Sequence, residues 1–297
     1  MKRYAGWVVC FICLALAVLL LWHGVRMGER AKHLEQNGTL LLTETLSRER
    51  LEQMREAEGL QEDSMVFTAW REEKEVYLSA ENPARSTQAK ALWIDGPSEL
   101  LLPFGKRLKE TDTEGCLIDE GTAQELFGSV QVEGLTLSCG DRERLVQGVF
   151  PFPEKLVILQ DTGEEAKGDW DRITIQSKDG QPVKDLGEKF LIRHGLTGEV
   201  LRWDILRGLS WLTELVPGKW SDFSGWSRNI EEKRREFRIL TEVRKSAIEL
   251  EYQSLLIKRT LCLALGGVGL WTVIFVMLGK ITTTRVGNFS KLLYNKT

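Results

Sequence analysis

Residues 115–150 read GCLIDEGTAQELFGSVQVEGLTLSCGDRERLVQGVF, and the fold class follows from how this run divides. Leu117 and Ile118 form a brief apolar strand. Asp119 stands where a short carboxylate accepts a free amide of a helix's first turn, so it is read as an N-cap. The helix runs through Ala123, Leu126 and Phe127, and Gly128 is placed to stop it in the left-handed conformation. Leu135, Leu137 and Cys139 alternate with polar residues, Gly140-Asp141 turns the chain, and residues 145–150 return. That is the pattern of a hairpin with one buried face. A strand, a helix and a hairpin in one short run predict an α+β domain with a mixed-strand sheet.

The same pattern extends outward. Upstream, residues 65–70 and 75–79 are short β-branched and aromatic runs, residues 91–94 end at the turn Asp95-Gly96, and residues 99–102 are apolar up to Pro103. Downstream, residues 155–160 and 172–177 are further strands, with Ile173 and Ile175 on one face. Before the strands, Ser47 caps a helix over 48–58 that carries Leu51 and Met54, and Gly59 ends it. From Glu199 onward the expectation is helical. Leu201, Ile205, Leu209 and Leu212 form a stripe that stops near Pro217-Gly218, and a second helix from about Ser227 is expected to continue unbroken into an apolar segment. Leu240, Val243, Ala247, Leu250, Ser254 and Ile257 fall at a and d positions. They suit a coiled-coil stalk or an amphipathic helix packed on its own domain. With no glycine or proline between Asn229 and Leu265, the expected element is a stiff rod.

The two ends differ in kind from this middle. Residues 5–22 and 260–279 contain no charge, and at 1.5 Å per helical residue such lengths match the ~30 Å hydrocarbon core. A cleaved leader is the competitor for the first, but no small-x-small site follows it, so it is read as an uncleaved anchor. Trp7, Trp22 and Trp271 fit positions at or near the interface. Residues 28–38 are polar and continue the first helix until Asn37-Gly38 interrupts it. Lys2 and Arg3 at one end, and Lys280, Arg285, Lys291 and Lys296 at the other, lean toward two cytoplasmic termini. The organisation expected is a span at 5–25, a juxtamembrane helical segment at 26–64, a core domain at 65–198, a helical segment and stalk at 199–259, a second span at 260–280 and a basic cytoplasmic tail at 281–297. Residues 26–259 would then be extracytoplasmic.

The chemistry expected is sparse. A net charge of −3 with interleaved acids and bases gives no basic stripe, so nucleic acid is not the partner. His23, His33 and His194 are read as solvated or interfacial. No catalytic residue, cofactor site or metal site is assigned, and the chain has no G-x-x-x-x-G-K-[ST] loop. Ser98 is read as a turn serine. Asp119 and Glu120 could be imagined as an acid–base pair, but capping explains Asp119 more simply. Cys116 and Cys139 leave open either one disulfide or two free thiols, with free thiols favoured. Gly266, Gly267 and Gly269 are read as letting membrane helices approach closely.

The 115–150 run resembles the extracytoplasmic core domain of the macrolide-exporter (MacB) and FtsX-type ABC permeases. Ala123, Leu126, Phe127 and Gly128 match "A-x-x-L-F-G". Gly134, Leu135 and Leu137 match the glycine-to-apolar step, and Val146, Gly148 and Val149 match "V-x-G-V". Phe67-Thr68-Ala69-Trp70 resembles the start of such domains, and the overall plan is similar over roughly residues 5–280. The resemblance implies a non-enzymatic permease-type protein in the lipid bilayer, with an ABC ATPase subunit and other permease subunits as partners. It departs from the family in one respect. Members carry four spans, whereas here only 18 residues follow Gly279, without a further apolar run, so a shortened or split permease is expected. The alternative is a stand-alone envelope scaffold or assembly factor.

Overall fold

The structure is a computed structural model and describes residues 2–35, 37–102, 107–161, 169–176, 181–201, 223–242 and 245–294. It has two compact units. One is built from residues up to Arg30 and from Tyr252 onward, the other from the described residues between them.

In the second unit, nine strands make one mixed sheet: β1 (Asn37–Leu46), β2 (Phe67–Glu81), β3 (Ala84–Asp95), β4 (Gly115–Asp119), β5 (Thr136–Cys139), β6 (Arg142–Phe150), β7 (Leu156–Gln160), β8 (Trp170–Gln176) and β9 (Gly198–Leu201). The pairings β2–β3, β3–β7, β7–β4, β4–β6, β6–β5 and β5–β2 close a six-stranded ring, and β8, β1 and β9 extend from β2 in that order. One strand can serve both parts because β2 bends. Between Glu73 and Val76 it gains a residue on its partner β3, a bulge that increases local twist.

The 115–150 run folds as expected. Asp119 accepts the Thr122 N–H at 3.0 Å to cap α3 (Glu120–Phe127), and Gly128 ends it at φ 75°. The glycine of "V-x-G-V" has a specific place in the sheet. Opposite Cys116-Leu117, β6 steps from Val146 to Gly148, one residue too many. The slip changes which side chains face which way: Val146 belongs to one apolar cluster and Phe150 to the other. The larger cluster joins the ring to α2 (Arg48–Gly59) through Leu51 and Met54, to α3 through Ala123 and Leu126, and to α4 (Val183–His194) through Phe190. The smaller holds Trp70, Leu92, Ile94, Leu117, Phe150, Leu156 and Ile158.

Several expectations change. Residues 67–70 and 75–79 belong to one bulged strand, and Met65 and Val66 precede it. The 99–102 run begins in a 3₁₀ turn, Ser98–Leu100, and Pro103 lies outside the described residues. The 26–64 segment is not helical throughout, because residues 37–46 are β1, paired along both edges. Residues Asn37–Leu40 are buried in succession, so the strand lacks the alternation by which a half-exposed strand is recognised. Helix α4 and strand β9 also lie where neither was expected. The stripe from Ile205 to Leu212 lies outside the described residues. The rod is interrupted as well: α5 (Phe223–Glu242) ends, and α6 (Ala247–Tyr294) starts afresh after the non-helical Lys245 and Ser246. In α6 the buried residues include Ile248, Tyr252 and Leu256, spaced by four, while the heptad positions Leu250 and Ile257 are exposed.

In the other unit, α1 (Lys2–Glu35) and α6 contain segments, Cys10–Glu29 and Ala247–Met277, long and apolar enough to cross a membrane. Only 11% of each is buried, which separates them from the covered helix of a soluble core. Side chains as apolar as Phe11, Leu19, Leu265 and Phe275 stand exposed and call for hydrocarbon as their solvent. Small residues line the contact. A Cβ on Gly266 would meet the Leu21 side chain at 2.8 Å and the Ala17 carbonyl at 3.1 Å, and one on Gly24 would meet Leu263 at 2.9 Å. These contacts run in opposite directions along the two helices, so the pair is antiparallel. Gly267, by contrast, has nothing within 4 Å and faces away from the seam.

Candidate functional site

The smaller apolar cluster includes a residue from the last helix. Ile248, in the first turn of α6, is 9% exposed and packs with Trp70, Leu92, Ile94 and Phe150. Burying an isoleucine side chain contributes about 1.5–3 kcal/mol, so the root of the membrane-entering helix is part of the domain's core.

Polar contacts fix the same turn. The Ser246 hydroxyl accepts the Glu249 N–H at 3.2 Å, and the Glu249 carboxylate accepts the Ser246 N–H at 2.7 Å. This is a capping box, and its sequence form, Ser-x-x-Glu, was present to be read at 246–249. It is also the physical reason the rod breaks there, since the cap satisfies amides that an unbroken helix would bond to the preceding turn. The Ala247 N–H donates to the Glu72 carboxylate at 2.5 Å. Two carboxylates thus face a helix N-terminus, where the macrodipole favours negative charge.

The other oxygen of Glu249 accepts from Arg172 Nε at 3.0 Å, with side chains 3% and 7% exposed. Arg172 also donates to Asp171 at 2.6 Å, and its guanidinium lies 5.1 Å from the Trp70 ring centre, a cation–π distance. Burial works against the Arg172 charge, but Glu249 and Asp171 outweigh it and hold its pKa above the ordinary arginine value. Burial pushes the pKa of Lys245 down, with Glu249 opposing. Removing one member of a buried pair costs about 3–5 kcal/mol, because the other charge is stranded. Its central charges, Arg172 and Glu249, are buried and paired with one another. What it does is anchor a helix to a sheet.

The residues first considered for chemistry have structural partners. Ser98 is buried, and its hydroxyl accepts the Leu108 N–H at 2.9 Å and donates to the Leu108 carbonyl at 3.1 Å. Asp119 is 1% exposed, and besides capping α3 it accepts the Leu156 N–H at 2.8 Å, tying the helix to β7. Its neighbour Glu120 is exposed, so the two carboxylates do not share a site. His23 is exposed, and the side chain of His33 lies outside those described. His194 is corrected: it is buried, with Nε2 2.8 Å from Glu58 and its ring 4.5 Å from that of Phe190. Glu58 is a second buried hub, accepting also from Met65 N–H at 2.7 Å and from Arg193 at 2.9 Å. Burial pushes the Glu58 carboxyl up, yet the donors Met65, Arg193 and His194 together hold it below its usual range. Cys116 and Cys139 are free thiols whose pKa values burial raises to about 12 and about 11. Among the described residues no group of three His, Cys, Asp or Glu could hold a metal. A cavity of about 190 Å³ is lined by Phe127, Leu135, Leu137, Glu81 and Glu143.

No family model matches the chain, and no curated protein matches it. Solved structures similar to it include the following two. One is the extracellular domain of a noncanonic ABC-type transporter, YknZ, from Gram-positive bacteria, at a TM-score of 0.41 and 14% identity, covering 55% of this chain and 97% of that one. The other is the periplasmic region of MacB from Actinobacillus actinomycetemcomitans, at a TM-score of 0.44 and 16% identity, covering 65% of this chain and 100% of that one.

Proposed function

We propose that this chain is a non-enzymatic, membrane-anchored protein of the MacB/FtsX permease type. Its domain lies outside the cytoplasm, both termini lie inside, and it works as part of an ABC transporter or mechanotransmission complex. The observation that carries this reading is the root of α6. A helix apolar enough to cross the membrane begins inside the domain's core, held by Ile248, the capping box and the Arg172–Glu249 pair. A domain so attached cannot change shape at that point without moving the helix. The sequence resemblance over residues 115–150 supplies the partner class, an ABC ATPase with further permease subunits.

Co-purification after mild detergent extraction tests the partner class, and recovery of neither an ATPase nor a permease subunit refutes it. A spin label at the exposed Leu250 tests transmission, with a nucleotide-dependent change in the assembled complex as the expected result. Sidedness is read from a tag in the exposed Gly140 turn, which should be reachable from outside intact cells.

A further inference from the structure

The first membrane helix also leads into this sheet. Only Gln36 separates the end of α1 from β1, and β1 pairs with β8 from Asn37↔Gln176 to Leu41↔Arg172. Strand β8 therefore carries the β1 ladder on one edge and, through Arg172, the clamp on α6. On its other edge it pairs with β2, Trp70 standing opposite Arg172 and Thr68 opposite Thr174.

Between the two attachments runs a row of buried polar side chains. Glu249 holds Arg172, and Arg172 lies over the Trp70 ring. The Trp70 indole N–H donates to the Thr174 hydroxyl at 2.9 Å, and that hydroxyl lies 3.3 Å from the hydroxyl of Thr39 in β1. Asn37, two residues before Thr39, donates its amide to the Leu100 carbonyl at 3.0 Å. Thr39, Trp70, Arg172, Thr174 and Glu249 are each at most 8% exposed. A buried polar network is costly when only partly satisfied, so its members hold or fail together. An apolar row would pack the same sheet without linking one end to the other.

We propose that the row Glu249–Arg172–Trp70–Thr174–Thr39 couples the roots of the two membrane-entering helices, so that loosening one loosens the other. It deepens the transmission reading above, by naming the residues through which the two helices respond as a pair. It does not depend on which partner the protein has.

The test is peptide-resolved hydrogen exchange on the full chain in lipid nanodiscs, with no partner or nucleotide present. Glu249→Gln removes the clamp's negative charge at the α6 end. Thr174→Val removes the hydroxyl in mid-row without touching an atom of α6. The expected result is reciprocal: Glu249→Gln speeds exchange over residues 37–41 tenfold or more, and Thr174→Val does the same over residues 247–250. Residues 115–119, at the far side of the ring, keep the wild-type rate in both. Effects confined to the mutated end overturn the coupling. So does a uniform rise that includes residues 115–119, which marks the row as general ballast. Should either variant fail to fold, Glu72→Ala, which removes the acceptor of the Ala247 N–H, must show the same pattern at smaller amplitude. A failed co-purification leaves this result untouched, so the two readings fall separately.

Discussion

Asp119 and Glu120 are adjacent carboxylates at the start of one helix, and the structure assigns them opposite consequences on removal. Asp119→Ala deletes the α3 cap, worth about 1 kcal/mol. It also strands the Leu156 N–H, and the Thr122 hydroxyl loses its acceptor, with both residues 0% exposed. An orphaned buried donor costs about 1–3 kcal/mol, and with both donors near the low end of that range the total is about 3–4 kcal/mol. With a urea slope of about 2 kcal/mol/M, the unfolding midpoint falls by about 1.5–2 M. Asp119→Asn keeps a carbonyl for the cap but sets an amide NH₂ against the Leu156 N–H, so it recovers only about 1 kcal/mol of the loss. Glu120→Ala removes one exposed acid from the first turn and costs a few tenths, about 0.3 kcal/mol. The assay is urea titration of the purified full chain in micelles. It is followed by tryptophan fluorescence, since Trp70, Trp93 and Trp170 are buried in the domain. A midpoint for Asp119→Ala that matches Glu120→Ala, or rises, would refute the structural assignment. A carboxylate kept for chemistry is commonly neutral or costly for stability, and that outcome would reopen the reading of Asp119 and Glu120 as an acid–base pair.

Three more outcomes are expected. In the membrane hairpin, a Cβ at Gly24 lies 3.4 Å from that of Cys262, close to the ~3.5–4.5 Å of disulfides. Gly24→Cys should therefore oxidise with Cys262, protecting two thiols from a maleimide mass tag, while Gly267→Cys should not. At the other hub, Glu58 is held below the ordinary carboxylate range, so the unfolded chain binds the extra proton as pH falls. Its contribution is complete above a pH of about 4–5 and is lost as pH drops through the lower folded value. Glu58→Gln should lower stability by about 3 kcal/mol at neutral pH and flatten the acid limb of the denaturation curve. Finally, Cys116, with a thiol pushed up to about 12 and no exposure, should resist alkylation at pH 8 until urea unfolds the domain. Rapid labelling in the folded state would contradict its burial.

What could be read from the residues alone was local or solvent-driven. The cap at Asp119, the left-handed stop at Gly128 and the Gly140 turn each involve groups within a few residues of one another, so sequence order determines them. The two apolar helices are legible because hydrocarbon and water select composition over a whole helix length. The capping box at 246–249 was equally local and went unread, because the heptad spacing around it favoured an unbroken rod. Strand β1 was hidden because a strand buried on both faces leaves no alternation.

The anchoring site belongs to the other category. Arg172 and Glu249 are 77 residues apart, and Trp70 and Thr174 are 104 apart. Among 40 lysines and arginines and 43 acids, nothing in the sequence pairs Arg172 with Glu249. That choice is made when β8 inserts between β1 and β2 and the first turn of α6 closes over it. Only then does desolvation turn one ordinary ion pair among many into the bond that ties the domain to its membrane helix.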